Sequence, residues 1–221
     1  MGESVLRNGD RICFLGDSIT AADPGYTRLT AALLTALRPD LELEFLYAGI
    51  SGNRVGDLLE RLERSVLRPR PTVVTVSIGV NDVWHRYSHA SGGTSDDAFP
   101  VAYRELCDRL EASGARAVLL TPTVIGEDEQ APANRDLARL VGVQRQVAAE
   151  RHLPLADMNR VFWQAIAARR QTLARERWPL GPEGGTRFFT TDGVHMNSSG
   201  NALMAAVLLE TLSPGAASGQ R

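Results

Sequence analysis

The sequence predicts an α/β protein whose parallel β-sheet carries helices on both faces. Short apolar runs of strand length alternate along the 221 residues with longer segments of helical period, an alternation typical of this fold. The run at residues 72–78 is nearly all β-branched and lacks polar alternation, which indicates a strand covered on both sides. Right-handed crossovers are expected to join successive strands.

Five apolar runs predict the strands. Each run has four to seven residues, and small or polar residues follow it directly. In chain order the runs cover residues 11–15, 43–47, 72–78, 117–120 and 153–156. Ligands of such sheets bind outside the carboxyl ends of the strands, so the residues after each strand are the first candidates for a functional site.

Six helices are predicted between and after the strands. Leu29, Leu33 and Leu37 share one face of the first helix, and Pro39 ends it. The helices are predicted at residues 26–38, 55–67, 96–112, 134–151, 160–175 and 199–212.

The length suits a single domain, and no internal repeat divides the chain. Residues 1–212 are predicted to form this domain. Residues 213–221, rich in glycine, serine and alanine, are predicted to be a disordered tail. Long loops are expected at residues 84–95 and 178–187.

The composition excludes several functional classes. All 24 basic residues are arginine, so lysine-based catalysis is excluded, and the net charge of −2 without a basic block argues against nucleic-acid binding. No apolar run approaches the ~20 residues of a membrane helix, so no membrane partner is expected. Residues 1–10 contain no signal-peptide core, which predicts a cytoplasmic protein unless the numbering is that of a mature form. Cys13 and Cys107 are expected to be small buried side chains.

Four polar segments stand at strand ends or before the last helix. They are Gly16-Asp17-Ser18-Ile19-Thr20, Ile50-Ser51-Gly52-Asn53-Arg54, Gly79-Val80-Asn81-Asp82 and Thr191-Asp192-Gly193-Val194-His195. Because parallel strands end at the same edge of a sheet, their hydroxyl, amide, acid and imidazole groups are expected to converge there. Asp17 and Asp82 are expected to cap turns or helix starts.

These residue types suit the hydrolysis of an ester. The reaction needs a nucleophile, a base that activates it and a group that orients the base. Ser18 can serve as the nucleophile, His195 as the base and Asp192 as the orienting group. The N–H groups of Ser18 and Gly52 and the amide of Asn81 are candidate donors to the oxyanion. Gly52 has no Cβ to block a close approach.

The four segments resemble the sequence blocks of the SGNH hydrolases, also called GDSL esterases and lipases. Gly16-Asp17-Ser18-Ile19 resembles the first block, with isoleucine in place of the usual leucine. The resemblance implies a flavodoxin-like three-layer α/β/α fold with five parallel strands, and it implies no cofactor or metal. It also implies a catalytic triad of Ser18, His195 and Asp192. The implied oxyanion hole consists of Ser18, Gly52 and Asn81.

Flanking residues resemble a narrower group, the bacterial acetylxylan esterases that deacetylate carbohydrates. The resembling stretches are Gly49-Ile50-Ser51-Gly52-Asn53, Ile78-Gly79-Val80-Asn81-Asp82-Val83-Trp84 and Thr121-Pro122. The resemblance implies hydrolysis of small acyl esters, above all acetyl esters, of a carbohydrate. Small α/β esterases of this kind often associate into homo-oligomers. Arg54 is a candidate for binding substrate oxygens or bracing the Gly52 loop. Trp84 and Tyr87 are candidates for a platform under a sugar ring.

Other functions remain open from the sequence. A lysophospholipase, a thioesterase or an arylesterase would use the same triad, and a carbohydrate-binding module could be built on an inactive esterase scaffold. His85 and His89 are four residues apart but have no third ligand at a metal-site spacing. Dinucleotide binding is disfavoured because no G-x-G-x-x-G follows the first strand. The α/β-hydrolase fold is disfavoured because its G-x-S-x-G turn is absent.

Overall fold

Five parallel strands form one sheet in this structure, a computed structural model that describes residues 4–90, 92–175 and 187–216. The strands are β1 (Arg11–Gly16), β2 (Glu44–Gly49), β3 (Val73–Ser77), β4 (Arg116–Leu120) and β5 (Leu155–Ala156). Their order in the sheet is β2-β1-β3-β4-β5. All of β3 is buried, as a strand covered on both sides requires. The predicted α/β fold is confirmed.

Helices cover both faces of this sheet. They are α1 (Ser18–Ala21), α2 (Tyr26–Leu37), α3 (Val55–Leu62, continued by a π-helical turn at Glu63–Leu67), α4 (Val80–Ser88), α5 (Ala98–Ala112), α6 (Pro132–Glu150), α7 (Met158–Arg175) and α8 (Ser198–Leu212). Helix α2 packs against α8, whereas α3 packs against α5 and α5 against α6. The chain crosses the sheet in one direction from β1 to β2 and in the opposite direction at every later crossover. Right-handed connections therefore place α2 on one face of the sheet and α3, α5 and α6 on the other.

The reversal of winding creates a topological switch point between the carboxyl ends of β1 and β3. Ligands of doubly wound sheets bind at such points because the connections leave the two strand ends in opposite directions and open a crevice. Ser18 follows β1 and Asn81 follows β3. The topology therefore brings two of the predicted site residues to this crevice.

The prediction of a loop at residues 84–95 is wrong for residues 84–88, because α4 extends to Ser88. Helix α4 buries Val80 and Val83 and contacts α6. The residue before it, Gly79, has a φ of 122°, which lies outside the helical range. Val80, Val83 and Trp84 have the spacing of one helix face, but nine residues are too few to form a stable helix alone, so tertiary packing decides the conformation.

Helix α2 has the predicted position, but the face that shares Leu29 and Leu37 is not its most buried one. Leu29 and Leu37 remain 38% and 36% exposed, whereas Tyr26, Thr30 and Leu34 are buried. Burial of Thr30 is tolerated because its hydroxyl donates to the Tyr26 carbonyl at 2.8 Å. The leucine spacing therefore predicts the helix but does not by itself decide which side is buried.

The described chain continues past the predicted domain limit at residue 212. Ser213 is buried, and its hydroxyl accepts a hydrogen bond from Arg38 at 2.6 Å. Residues 217–221 of the predicted tail, and all of the predicted 178–187 loop except Arg187, lie outside the described residues. Among the helices described, none has both the length and the apolar composition needed to cross a membrane.

Candidate active site

Ser18 lies where the chain turns sharply from β1 into α1. Position 16 requires glycine, because a Cβ there would lie 2.5 Å from the carbonyl oxygen of Ser77. Asp17 caps α1 by accepting a hydrogen bond from the Ile19 N–H at 3.0 Å, which confirms the predicted capping. Ser18 is therefore the first residue of the helix, where its N–H has no carbonyl one turn earlier to bond.

A continuous line of hydrogen bonds joins Ser18, His195 and Asp192. Ser18 Oγ lies 2.9 Å from His195 Nε2, across 177 positions of sequence. Nδ1 of the same ring lies 2.6 Å from Asp192 Oδ2. Asp192 Oδ1 accepts hydrogen bonds from the N–H groups of Val194 at 2.9 Å and His195 at 2.8 Å. An imidazole held this way can accept a serine proton while the carboxylate stabilises the resulting imidazolium.

The carboxyl groups around this line differ in their electrostatics. Partial burial alone would raise the pKa of Asp192, but hydrogen bonds from the His195 ring and two backbone N–H groups outweigh it and lower the pKa to about 2. Burial raises the pKa of Asp17 to about 7 and that of Asp82 to about 6. With these pKa values, Asp192 is fully ionised at neutral pH, whereas Asp17 is partly protonated at that pH.

Hydrogen-bond donors from two further segments reach the same edge of the sheet. The Asn81 amide is buried and donates one hydrogen to the Asn53 carbonyl at 3.0 Å, so its second hydrogen remains for another acceptor. Within the described part of the chain, the N–H groups of Ser18 and Gly52 have no acceptor. These are the three donors that the sequence singles out.

Gly52 is needed for its backbone conformation. Its φ is +79°, in the left-handed region that favours glycine, and nothing lies within 4 Å of the position a Cβ would take. Asp82 supports the helix that follows this loop, because its carboxylate accepts hydrogen bonds from the Val55 N–H at 3.2 and 3.3 Å. This contact confirms Asp82 as a residue that caps a helix start.

Arg61 was not predicted from the sequence, although its buried guanidinium joins these segments. Nη2 donates to the carbonyls of Gly16 at 3.0 Å and Ala48 at 2.8 Å, and Nε donates to Asn53 Oδ1 at 2.6 Å. Burial lowers the pKa of Arg61, and Nη1 has no partner among the described residues. Arginine on an amphipathic helix is usually exposed, so its position on α3 gave no signal.

Trp84 is the substrate-binding candidate that the structure brings to the triad. Its ring centroid lies 6.2 Å from that of His195, with the planes at 86°. His85 and His89 stand on the same side, with their ring centroids 4.3 Å apart. Among the residues described, no three histidine, cysteine, aspartate or glutamate side chains are grouped as a metal ion would need.

The two other candidates make contacts elsewhere. Arg54 Nη1 donates to the carbonyls of Gly92 at 3.3 Å and Gly93 at 3.4 Å, so its guanidinium joins the end of the Gly52 loop to the loop after α4. The Tyr87 hydroxyl donates to Asp136 on α6 at 2.8 Å. No contact in the described structure joins Tyr87 to the triad, because its side chain is directed to α6.

Two large cavities lie away from the triad. One, of about 800 Å³, lies at the amino ends of β4 and β5 and includes Arg7, Arg116 and His152 in its lining. The other, of about 630 Å³, lies between α6 and α7. The thiols Cys13 and Cys107 are buried and free, as predicted. Neither cavity lining includes Ser18, Asp192 or His195, so the candidate active site is formed by the strand-end segments and not by either cavity.

Comparison with known proteins gives concordant matches. The pattern of the GDSL-like lipase/acylhydrolase family matches residues 14–203. An acetylxylan esterase from Geobacillus stearothermophilus is 30% identical over 174 residues, which are 71% of this chain and 80% of that enzyme. The crystal structure of Axe2, an acetylxylan esterase from the same organism, matches 93% of this chain and 95% of its own, with a TM-score of 0.79 and 27% identity. That of the acetyl xylan esterase AlAXEase matches 91% and 99%, with a TM-score of 0.76 and 31% identity.

Proposed function

The chain belongs to the GDSL-like lipase/acylhydrolase family and is a carboxylic ester hydrolase, and on this basis we propose that it removes acetyl groups from acetylated carbohydrates. The similarity to two acetylxylan esterases supports this substrate class. Acetylated xylo-oligosaccharides are therefore the first substrates to test. Lysophospholipid, acyl thioester and aryl ester substrates are the alternatives that the same family chemistry allows.

The observation that carries the proposal is the hydrogen-bonded line from Ser18 Oγ through His195 to Asp192, at 2.9 and 2.6 Å. A serine hydroxyl is a weak nucleophile unless a base removes its proton during attack. His195 Nε2 stands at the distance required of that base, and Asp192 fixes the ring so that Nε2 faces the serine.

In the proposed first step, Ser18 Oγ attacks the ester carbonyl carbon while His195 Nε2 takes the serine proton. The carbonyl oxygen becomes an oxyanion, and the N–H groups of Ser18 and Gly52 and the free Asn81 amide hydrogen are the proposed donors to it. Donors fixed before the reaction stabilise the developing charge without reorganising, and losing one such donor typically costs ~10²–10³ in turnover.

The tetrahedral intermediate then collapses by breaking the bond between the carbonyl carbon and the alcohol oxygen. His195 gives its proton to the departing sugar hydroxyl, which leaves an acetyl ester on Ser18. Water attacks this ester and gives a proton to His195. The bond between the carbonyl carbon and Ser18 Oγ then breaks, His195 returns the proton to Ser18 Oγ, and acetic acid leaves. The net reaction consumes one water and releases the alcohol and acetic acid.

Trp84 is the proposed side of the site that meets the sugar. Its indole stands beside His195 and is half-buried, so it offers a rigid apolar surface next to the reacting atoms. Arg54 is proposed to act on the substrate only through the loop that it braces.

A substrate panel tests the proposal. Purified wild type and Ser18→Ala are assayed for release of acetate from acetylated xylo-oligosaccharides. Long-chain nitrophenyl esters, acyl-CoA and lysophospholipid are assayed separately as alternative substrates. We expect acetylated xylo-oligosaccharides to have the highest kcat/KM and Ser18→Ala to lose activity while its circular dichroism stays unchanged. Faster hydrolysis of long acyl chains would exclude the carbohydrate substrate, and an active Ser18→Ala would exclude the nucleophile.

A further inference from the structure

Glu127 links the loop between β4 and α6 to the segment that leads into the Asp192–His195 turn. Its Oε1 accepts hydrogen bonds from the N–H of Phe189 at 2.8 Å and from the N–H and hydroxyl of Thr190, both at 3.1 Å. Its Oε2 accepts a hydrogen bond from the N–H of Phe188 at 2.7 Å. One carboxylate thus satisfies four donors on three consecutive residues. Hydrogen bonds to an ionised acceptor are about twice as strong as those between neutral groups.

The loop that carries Glu127 is itself fixed. Asn134, buried in the first turn of α6, accepts from the Ile125 N–H at 2.9 Å. Its Nδ2 donates to the carbonyls of Ile125 and Asp128, both at 2.7 Å. Arg170 on α7 donates to the carbonyl of Glu127 itself. The Glu127 carboxylate therefore extends from a loop that two neighbouring helices hold.

The segment that Glu127 binds continues directly into the turn with the triad residues. Thr190 forms an antiparallel bridge with Met196, and the Thr191 N–H donates to the His195 carbonyl at 2.8 Å. These contacts close a loop of residues 190–196 that contains both Asp192 and His195. The N–H of Gly126, the neighbour of Glu127, also donates to the Gly193 carbonyl at 2.6 Å.

From this arrangement we propose that Glu127 is a positioning residue for ester hydrolysis, holding the 190–196 loop so that His195 Nε2 meets Ser18 Oγ. The inference rests on the proposed function, because Glu127 acts on the reaction only through His195. Ser18 follows the carboxyl end of β1, whereas the 190–196 loop lies against the β4–α6 loop. Without the carboxylate, the two can shift relative to each other, and a misplacement of 1 Å can lower a rate ~100-fold.

The test compares Glu127→Gln with wild type and with Glu129→Gln, a matched change of an exposed glutamate on the same loop. Glutamine keeps one acceptor oxygen but turns an amide NH₂ towards a backbone N–H, so some of the four hydrogen bonds are lost. We expect kcat for nitrophenyl acetate to fall about 10- to 100-fold in Glu127→Gln, with KM changed less than about threefold. Glu129→Gln should retain the wild-type kcat.

Two further measurements follow His195 and Ser18 directly. The His195 Nδ1–H proton, held against Asp192, should give a downfield NMR resonance that is weakened or shifted in Glu127→Gln and unchanged in Glu129→Gln. The rate at which a fluorophosphonate labels Ser18 should fall in parallel with kcat. Thr190→Val removes one of the four hydrogen bonds and should give the same changes at smaller size, which keeps the test available if Glu127→Gln does not fold.

A folded Glu127→Gln with unchanged kcat, labelling rate and resonance would overturn the inference. So would a loss of kcat that only matches the unfolded fraction and leaves the resonance intact. Ser18→Ala separates this outcome from failure of the proposed function. If Ser18→Ala is inactive while Glu127→Gln and Thr190→Val keep the full rate, only the proposed role of Glu127 is wrong. An active Ser18→Ala would instead refute the proposed triad.

Discussion

Trp84 and His195 stand edge to face, with ring centroids 6.2 Å apart and planes at 86°. Trp84 belongs to α4 and packs against the core, so its indole is a fixed neighbour of the imidazole that bonds Ser18. Aromatic contacts of this geometry contribute about 0.5–1.5 kcal/mol beyond the area that they bury. The contact limits the directions in which the His195 ring can turn.

We expect Trp84→Ala to lower kcat/KM for acetylated xylo-oligosaccharides about tenfold, because His195 loses this neighbour and the site loses its apolar wall. Trp84→Phe keeps an aromatic ring and should recover most of the activity. Steady-state kinetics on the sugar ester and on nitrophenyl acetate would measure both effects. Equal activity of the alanine variant and the wild type on both substrates would show that the contact has no role in the reaction.

Gly52→Ala tests whether the left-handed backbone at residue 52 matters for the reaction. Gly9 is a matched control, since its φ of +82° is similar and a Cβ would also meet nothing within 4 Å. Both alanine variants should lower the free energy of unfolding by about 1 kcal/mol, the cost of a Cβ in this conformation. Only Gly52→Ala should also lower kcat, by at least about tenfold, because its N–H is redirected.

Urea unfolding and acetate release would measure the two quantities for each glycine variant. Similar destabilisation with equal activity in both would mean that the Gly52 N–H does not contact the oxyanion.

Arg61→Met tests the buried guanidinium that joins the ends of β1 and β2 to the Asn53 side chain. Methionine fills a similar space but leaves the carbonyls of Gly16 and Ala48 without their donor, so the free energy of unfolding should fall by about 3 kcal/mol. Arg64→Met, at an exposed position of the same segment, should change it by less than about 0.5 kcal/mol.

Thermal and urea unfolding would compare the two arginine variants. A buried charge can also be replaced by an apolar side chain without loss. Equal or greater stability of Arg61→Met would therefore show that desolvating the guanidinium costs as much as its hydrogen bonds contribute.

Asp17→Asn should change how stability depends on pH. Burial raises the pKa of Asp17 from 3.8 to about 7, so between these values the folded protein binds a proton that the unfolded chain has released. Wild-type stability therefore falls through this titration as pH rises from about 4 to about 7. Asparagine does not titrate and can keep the hydrogen bond to the Ile19 N–H.

The free energy of unfolding of Asp17→Asn relative to wild type should accordingly rise across this range, by up to a few kcal/mol, and level off above it. Urea unfolding at about pH 5 and about pH 8 would measure the difference. A difference that is constant with pH would mean that the folded and unfolded states ionise Asp17 alike.

The strands and most helices were predictable because local patterns specify them. The run at 72–78 predicts a buried strand from its β-branched residues alone. Pro39 ends a helix whatever residues are packed around it. The rule that parallel strands end at one edge then sufficed to group the Ser18, Gly52 and Asn81 segments.

Local patterns failed where packing against distant elements decided the outcome. The segment of α4 is too short to form a stable helix alone, and it forms one where it packs against α6. The inward face of α2 depends on which neighbours it meets, so Thr30 is buried while Leu29 is not. Tyr87 was expected in a loop, but it lies on α4, where its hydroxyl donates to Asp136.

By itself, the sequence determined the α/β fold, the order of its elements and the residue types available at each strand end, because these follow from apolar periodicity and from glycine and proline breaks. Only the tertiary structure decided that Ser18 Oγ and His195 Nε2 lie 2.9 Å apart, and that Glu127 and Arg61 hold the segments around them. Hydrogen bonds act over about 3 Å and depend on angle, so contacts between residues far apart in sequence are fixed only once the whole chain has packed.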